Sequence, residues 1–97
     1  MTFSVSDRLI EKDGELVARL ERGTLADNTG SDVVRIKGSE IHNLYGTKLA
    51  EVKNGKIFMA SGLEFATVAS ARKSFGNSNH LSDIEIATAW LCLVKGI

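Results

Sequence analysis

The sequence has little that would mark a membrane protein or a nucleic-acid-binding protein. Twelve basic and twelve acidic side chains give a formal net charge of zero, so an overall attraction for polyanions is missing. The single cysteine excludes an internal disulfide, and no stretch reaches the roughly 20 apolar residues that span a bilayer. The first residues, MTFSVSDR, lack the basic and apolar regions of a secretion signal. We therefore expect a cytoplasmic protein with neither a membrane nor a nucleic acid as its partner.

Sequence motifs for catalysis, metal binding and phosphate binding are missing as well. The chain contains no H-E-x-x-H, no G-x-S-x-G and no Cys/His metal spacing, and its glycines do not form G-x-G-x-x-G. We predict a protein that is not an enzyme and that holds no metal and no cofactor. Its 97 residues have room for one small domain.

The sequence does contain a 16-residue pattern, which recurs four times over residues 8–71 without an insertion or deletion. Each block has a glycine, an apolar residue five positions before it, and three apolar or small residues after it. In chain order the five columns are Leu9, Leu25, Ile41 and Ile57; Gly14, Gly30, Gly46 and Gly62; Val17, Val33, Leu49 and Phe65; Ala18, Val34, Ala50 and Ala66; and Leu20, Ile36, Val52 and Val68. Columns in register over four blocks indicate a repeat architecture.

Each block is predicted to form a β-hairpin. A glycine between two short apolar segments is typical of strand, turn and strand, because glycine adopts positive φ at little cost. A second turn is expected at each block junction, which gives eight short strands; the junctions are Arg22-Gly23, Gly38-Ser39, Asn54-Gly55 and Ser70-Ala71. The column of small residues favours hairpins whose backbones crowd together around an axis.

This pattern of glycine, small residue, aliphatic residue and next strand resembles the four-fold β-flower domain, a family of small bacterial proteins of uncharacterised function. The resemblance covers residues 8–71, about two thirds of the chain. It implies four hairpins in a pseudo-fourfold arrangement, and it implies no catalytic residue. The alternative architecture is a short two-sided β-solenoid with coils of 16 residues.

The segments that flank the blocks complete the predicted fold, which is all-β with one C-terminal helix. Residues 1–7 alternate in polarity and are interpreted as a lead-in strand. Residues 72–81 form a polar connector in which Phe75 is a candidate for burial. Residues 82–97 contain the helix, because Ser82-Asp83-Ile84-Glu85 is a capping box that starts it at Asp83 and Lys95-Gly96 suits its end.

That helix predicts self-association. Between Glu85 and Lys95 only Thr88 is polar, so the helix is apolar on all sides. Because strands this short are not expected to enclose it, one face should cover the hairpins and the other should bind a second copy. The sequence thus predicts a homodimer or larger oligomer with Trp90, Leu91 and Val94 at the interface. Cys92 is interpreted as a core thiol.

Candidate ligand-binding residues lie shortly before the block glycines, in the column Glu11, Asp27, Asn43 and Met59. The favoured interpretation is that these side chains accept hydrogen bonds from turn amides, and the alternative is a polar ring that holds a cation or a polar ligand. The third block adds His42, for which no catalytic partner is evident, and Tyr45, an aromatic residue at a turn that suits protein contact.

The sequence therefore predicts a non-enzymatic binding or assembly module that self-associates through its C-terminal helix. Two alternatives stay open. One is a small-ligand or nucleotide-binding protein that uses the polar ring together with His42 and Tyr45. The other is a phage or mobile-element inhibitor that acts by protein–protein contact.

Overall fold

The computed structural model describes residues 2–96, which form one ten-stranded sheet and two helices. The predicted class, mainly β with a C-terminal helix, is confirmed. The elements in chain order are β1 (Phe3–Ser6), β2 (Leu9–Lys12), β3 (Glu15–Glu21), β4 (Thr24–Asp27), β5 (Asp32–Lys37), β6 (Glu40–His42), β7 (Lys48–Lys53), β8 (Lys56–Met59), β9 (Glu64–Thr67), α1 (Val68–Arg72), β10 (Phe75–Gly76) and α2 (Asp83–Leu93).

Neighbouring strands from β1 to β9 pair antiparallel in chain order, and β10 pairs parallel with the outer edge of β1. The β-solenoid alternative is therefore wrong, because successive coils of a solenoid pair in parallel. The expected lead-in strand is confirmed as β1, which pairs with the first hairpin.

The sheet is strongly curled. Ten strands about 4.8 Å apart would make a flat sheet about 43 Å wide, whereas the longest dimension of the chain is 35 Å. Its two edge strands, β9 and β10, are joined by only residues 68–74. A register shift in each of the four hairpins β2–β3, β4–β5, β6–β7 and β8–β9 contributes to this curvature, since bulges bend and twist a strand.

The four predicted block hairpins are present, and each pairs one aliphatic residue with one small residue. The pairs are Ile10 with Ala18, Leu25 with Val34, Ile41 with Ala50, and Ile57 with Ala66. The four aliphatic members are at most 1 % exposed and belong to the same buried cluster. A small residue opposite each of them leaves room for the other side chains that share this core.

The prediction that the first apolar column is buried is wrong for its first member, Leu9. Leu9 pairs with Arg19 and is 38 % exposed, whereas the fully buried residue is its neighbour Ile10. The reason is a shorter connection in the first hairpin, where Lys12 pairs with Glu15 across a two-residue turn. Asp13 and Gly14 in that turn have φ of 54° and 81°, as such a turn requires. Seven residues separate the buried pair Ile10 and Ala18, against eight between Leu25 and Val34 in the second hairpin. The buried position of the first strand therefore moves by one residue, to the neighbour on the opposite face.

Two other details of the repeat register also need correction. Val33 and Phe65 of the second apolar column are exposed, because side chains alternate between the two faces of a strand. The next residues, Val34 and Ala66, face the core, where Val34 is buried and Ala66 is partly buried. The junction at Ser70-Ala71 is not a turn but part of α1. The Thr67 side chain caps this helix by accepting a hydrogen bond from the Ser70 amide at 3.1 Å.

The connector contains both a helix end and a strand, so it is more ordered than a polar linker. Phe75 in β10 is buried, as predicted, and its ring stacks on Phe3 of β1 with centroids 5.3 Å apart. This contact attaches the connector to the start of the chain.

Helix α2 begins at Asp83 with the predicted capping box, in which Ser82 and Glu85 bind each other's amide. It ends at Leu93 with Val94 as its C-cap, before the predicted Lys95-Gly96, where Gly96 has a φ of 71°. The interpretation that the strands cannot enclose it was wrong. All residues from Ile86 to Leu91 are buried within the single chain, because the curled sheet and α1 contact the helix from several sides.

Candidate functional site

Three loops with the same hydrogen bonds lie at one end of the hairpins: residues 27–31, 43–47 and 59–63. In each loop the first amide donates to the carbonyl of the fifth residue, and the glycine amide donates to the carbonyl of the first. The first distances are 2.9 Å in all three loops, and the second are 3.1, 3.1 and 2.8 Å. The glycines Gly30, Gly46 and Gly62 have φ near 90°, which only glycine adopts without strain. The predicted turn role of these glycines is confirmed.

In two of the three loops, the side chain of the first residue accepts hydrogen bonds from amides within the loop. The Oδ1 of Asp27 accepts from the amides of Thr29 and Ser31 at 2.9 and 3.0 Å. The Oδ1 of Asn43 accepts from the amides of Tyr45 and Thr47, both at 2.9 Å. The interpretation of these two residues as turn-supporting acceptors is confirmed.

Hydrogen bonds from the side chain and amide of Thr29, with a further one from Ser31, hold the pKa of Asp27 below its ordinary value. They favour the ionised carboxylate, which accepts all of them. Asn43 has the same acceptor geometry without a titratable group. The two loops are thus equivalent in shape and different in their response to acid.

The other two members of the polar column are not equivalent to Asp27 and Asn43. Glu11 lies within β2, opposite Ser4 and Leu16, in the hairpin that has the short turn. Met59 begins the loop 59–63 but offers no oxygen, and the Ser61 hydroxyl instead accepts from the Leu63 amide at 3.4 Å. The column therefore consists of two turn acceptors, one strand residue and one thioether.

His42 has partners that the sequence did not reveal. Its Nε2 lies 2.9 Å from Glu40 Oε1, and its Nδ1 lies 3.1 Å from the Gly46 carbonyl oxygen. Both ring nitrogens face acceptors, so only the protonated ring can donate to both, and neither nitrogen is presented to a substrate. His42 ties the strand β6 to the loop 43–47.

Glu40 also belongs to a network of ion pairs on the outer surface of β6 and β7. Lys48 Nζ lies 3.7 Å from Glu40 and 2.8 Å from Glu51, and Lys53 lies 3.7 Å from Glu51. The hydrogen bond between Lys48 and Glu51 raises the pKa of the lysine and lowers that of the carboxylate. The sequence shows that charges of opposite sign occur in both strands. Which of them form ion pairs depends on the register of β6 and β7, which the sequence does not give.

The tips of the loops differ strongly. Tyr45 is 94 % exposed and Leu44 is 42 % exposed, although the loop that carries them is well hydrogen-bonded. The corresponding residues of the loop 27–31 are Asn28 and Thr29. The loop 43–47 thus presents an aromatic and an aliphatic side chain to solvent on a defined backbone.

The three predicted interface residues, two in α2 and one at its C-cap, have different surroundings. Leu91 and Trp90 are buried in their own chain, with exposures of 1 and 7 %, and have little surface to offer a second copy. Val94 is 41 % exposed. Cys92 is half-buried and packs against the core, and burial raises the pKa of its thiol to about 11, in agreement with an unreactive core thiol.

The N-terminus of α2 is attached to the first block by an ion pair between Arg8 and Glu85. Burial raises the pKa of Glu85, but hydrogen bonds from the Ser82 amide and from Arg8 outweigh burial and leave the pKa below its ordinary value. Arg8 and Glu85 are 77 positions apart in the chain, so no local sequence pattern predicts this ion pair.

Within residues 2–96, no three His, Cys, Asp or Glu side chains are arranged to hold a metal ion, and this part of the chain has no ligand-sized pocket. Neither of its two helices has the length and apolarity to cross a membrane. A scan against protein-family models finds no match, and searches of curated proteins and of solved structures also return no similar protein.

Proposed function

We propose that this chain is a non-enzymatic binding or assembly module whose contact surface is the tip of the loop 43–47. The observation that carries the proposal is the 94 % exposure of Tyr45 on a loop whose backbone is fixed by hydrogen bonds. A rigid aromatic side chain buries a large area on binding and loses little conformational entropy, which is why tyrosine is enriched among residues that dominate interfaces.

The surroundings of Tyr45 indicate the kind of partner. Leu44 beside it is uncharged, and His42 below it is engaged with Glu40 and Gly46. The tip therefore offers an apolar body with one phenolic hydroxyl. A protein surface with an apolar pocket and a hydrogen-bond acceptor is the complementary partner.

Self-association through the C-terminal helix is the second candidate, and exposed apolar residues near the end of α2 favour it. Val94 is 41 % exposed, and Phe65, whose ring lies 5.7 Å from that of Trp90, is 42 % exposed. In this form of the proposal Val94 and Phe65 make the contact, and Trp90 and Leu91 support them from within the chain.

The finer architecture is part of the same proposal. Four hairpins with matching aliphatic and small pairs, and three loops with matching hydrogen bonds, support a pseudo-fourfold repeat domain of the β-flower kind. We extend the proposal to a cytoplasmic protein of bacterial origin.

A photo-crosslinking residue at position 45 tests the proposed contact, and the same residue at position 29 is the matched control in the equivalent loop. We expect a discrete cross-linked product in cells from position 45 and none from position 29. Cross-linking of the purified protein at position 45 would identify the partner as a second copy. Equal, diffuse labelling from both positions would contradict a specific contact at this tip.

Sedimentation velocity over a dilution series tests the second candidate. A concentration-dependent dimer that Val94→Glu and Phe65→Glu each convert to monomer would support it, with Val33→Glu as a control on another exposed valine. A protein that stays monomeric at high micromolar concentration would rule out self-association and leave the loop proposal intact.

A further inference from the structure

The end of α2 carries two aromatic rings that already contact a cation. The rings of Phe65 and Trp90 are 5.7 Å apart and inclined by 59°. The ammonium nitrogen of Lys95 lies 5.2 Å from the Trp90 centroid and 6.0 Å from the Phe65 centroid. Both distances are within the range in which the electron-rich face of a ring attracts a cation.

We propose that Phe65 and Trp90 form a two-walled binding site for an alkylammonium group, and that Lys95 occupies this site as an internal competitor. The ligand class is a quaternary or primary ammonium, carried either by a small molecule or by a lysine side chain of a protein. This inference concerns a different part of the surface from the loop 43–47 and does not depend on the contact proposed there.

The burial of the two rings fits a site that is closed by its own lysine. Phe65 is 42 % exposed, so one wall is open to solvent, whereas Trp90 belongs to the buried core, is only 7 % exposed and has the Lys95 ammonium over its ring. Indole is the strongest of the aromatic faces for a cation, and partial desolvation strengthens the attraction. The stronger wall is therefore the one that Lys95 covers.

Lys95 can leave the rings without unfolding the helix. It follows the C-cap Val94, and Gly96 after it has a φ of 71°, so the lysine is outside the regular helix. Its amide donates to the Trp90 carbonyl at 3.1 Å, a bond that does not involve the side chain. A ligand cation would displace only the ammonium and its flexible stem.

The arrangement predicts that removal of the Lys95 charge strengthens binding of an added ammonium. An exposed cation–π contact is worth enough for a change of roughly two- to five-fold in the dissociation constant. Lys95→Gln should therefore bind a quaternary ammonium about two- to five-fold more tightly than the wild type, while Phe65→Leu in the Lys95→Gln background should lose this binding.

The single tryptophan makes the site directly observable, since its indole N–H gives one side-chain cross-peak in a ¹⁵N–¹H spectrum. Choline is titrated into wild type, Lys95→Gln and the double variant at constant ionic strength. The neutral isostere 3,3-dimethylbutanol separates charge recognition from apolar contact, and Lys37→Gln is the control for loss of a lysine elsewhere on the surface. A dispersed spectrum shows that each variant is folded.

A saturable indole shift that is stronger in Lys95→Gln, absent with the neutral isostere and lost with Phe65→Leu would establish the site. N-acetyl-lysine amide and its trimethyl form, titrated in parallel, identify the source: tighter binding of these than of choline indicates a protein lysine, and the reverse indicates a small quaternary ammonium. An equal shift with the neutral isostere, or no shift with any ammonium in folded Lys95→Gln, would overturn the proposal.

Discussion

The loops 27–31 and 43–47 have the same backbone and different surfaces. Both are closed by one acceptor side chain, one positive-φ glycine and the same two backbone hydrogen bonds. Between these fixed points the first carries Asn28 and Thr29, and the second carries Leu44 and Tyr45. The comparison shows that the residues that fix the loop differ from those that it presents, so the tip can change without a change of fold.

The largest expected effect concerns the feature that both loops share. Gly30→Val and Gly46→Val should each destabilise the protein by about 1–3 kcal/mol, because a β-branched residue is strained at φ of 91° and 89°. Apart from the adjacent residues, no heavy atom lies within 4 Å of a Cβ placed at either glycine, so the cost is conformational and not a clash with the rest of the fold. Urea unfolding measures it.

Leu44→Val is the control for the glycine variants, since it adds a β-branched residue at a neighbouring position where φ is not positive. Its effect should stay within about 0.5 kcal/mol. Equal effects at Leu44 and Gly46 would show that the glycine does not determine the loop conformation.

The next effect concerns the acceptor side chains. Asn43→Ala removes an oxygen that binds two amides and should destabilise by about 0.5–2 kcal/mol, as loss of a comparable capping side chain does. Asp27→Ala should act in the same direction. Met59→Ala, at the same position of the third loop, removes no such acceptor and is the matched control. A larger loss at Met59 than at Asn43 would contradict this view of the loops.

The contribution to stability should depend on pH in the loop 27–31, which has Asp27, and not in the loop 43–47, which has Asn43. The pKa of Asp27 is lowered in the folded state, so its contribution to stability is present above the ordinary aspartate pKa and is lost as pH falls through the lower, folded value. The stability difference between wild type and Asp27→Asn should therefore be constant near neutral pH and shrink below about pH 4. Urea unfolding at a series of pH values measures this difference. The pKa values of Glu51 and Glu85 are lowered as well, but their contributions are the same in both proteins and cancel in the difference. A difference that grows as pH falls would contradict the assignment.

Local features of the fold were predictable from the sequence, and long-range features were not. The loop glycines, the acceptors Asp27 and Asn43, and the capping box at Ser82 act within five residues, so their spacing alone predicts them. Helix α1 was missed although Thr67 is a capping residue, because Val68 continued the repeat pattern and masked the change of structure.

The Leu9 error has a different origin. Leu9 and Ile10 are both apolar, and the length of the turn at Asp13-Gly14 decides which of them faces the core.

The enclosure of α2 depends on the curl of the whole sheet and on the parallel pairing of β1 with β10, which connects residues about 70 positions apart. Neither is encoded in a local pattern.

The smallest expected effect is at the position with the largest proposed role. Tyr45→Ser should change the free energy of unfolding by less than about 0.5 kcal/mol, because the ring is 94 % exposed and the amide of residue 45 still donates to Asn43. Thr29→Ser in the other loop is the matched substitution. If Tyr45→Ser and Thr29→Ser both leave urea stability unchanged, the exposed ring contributes nothing to folding, as the proposed contact role requires. A loss of more than 1 kcal/mol would instead mean that the ring packs on its own chain in solution, and the proposed contact surface would lose the observation on which it rests.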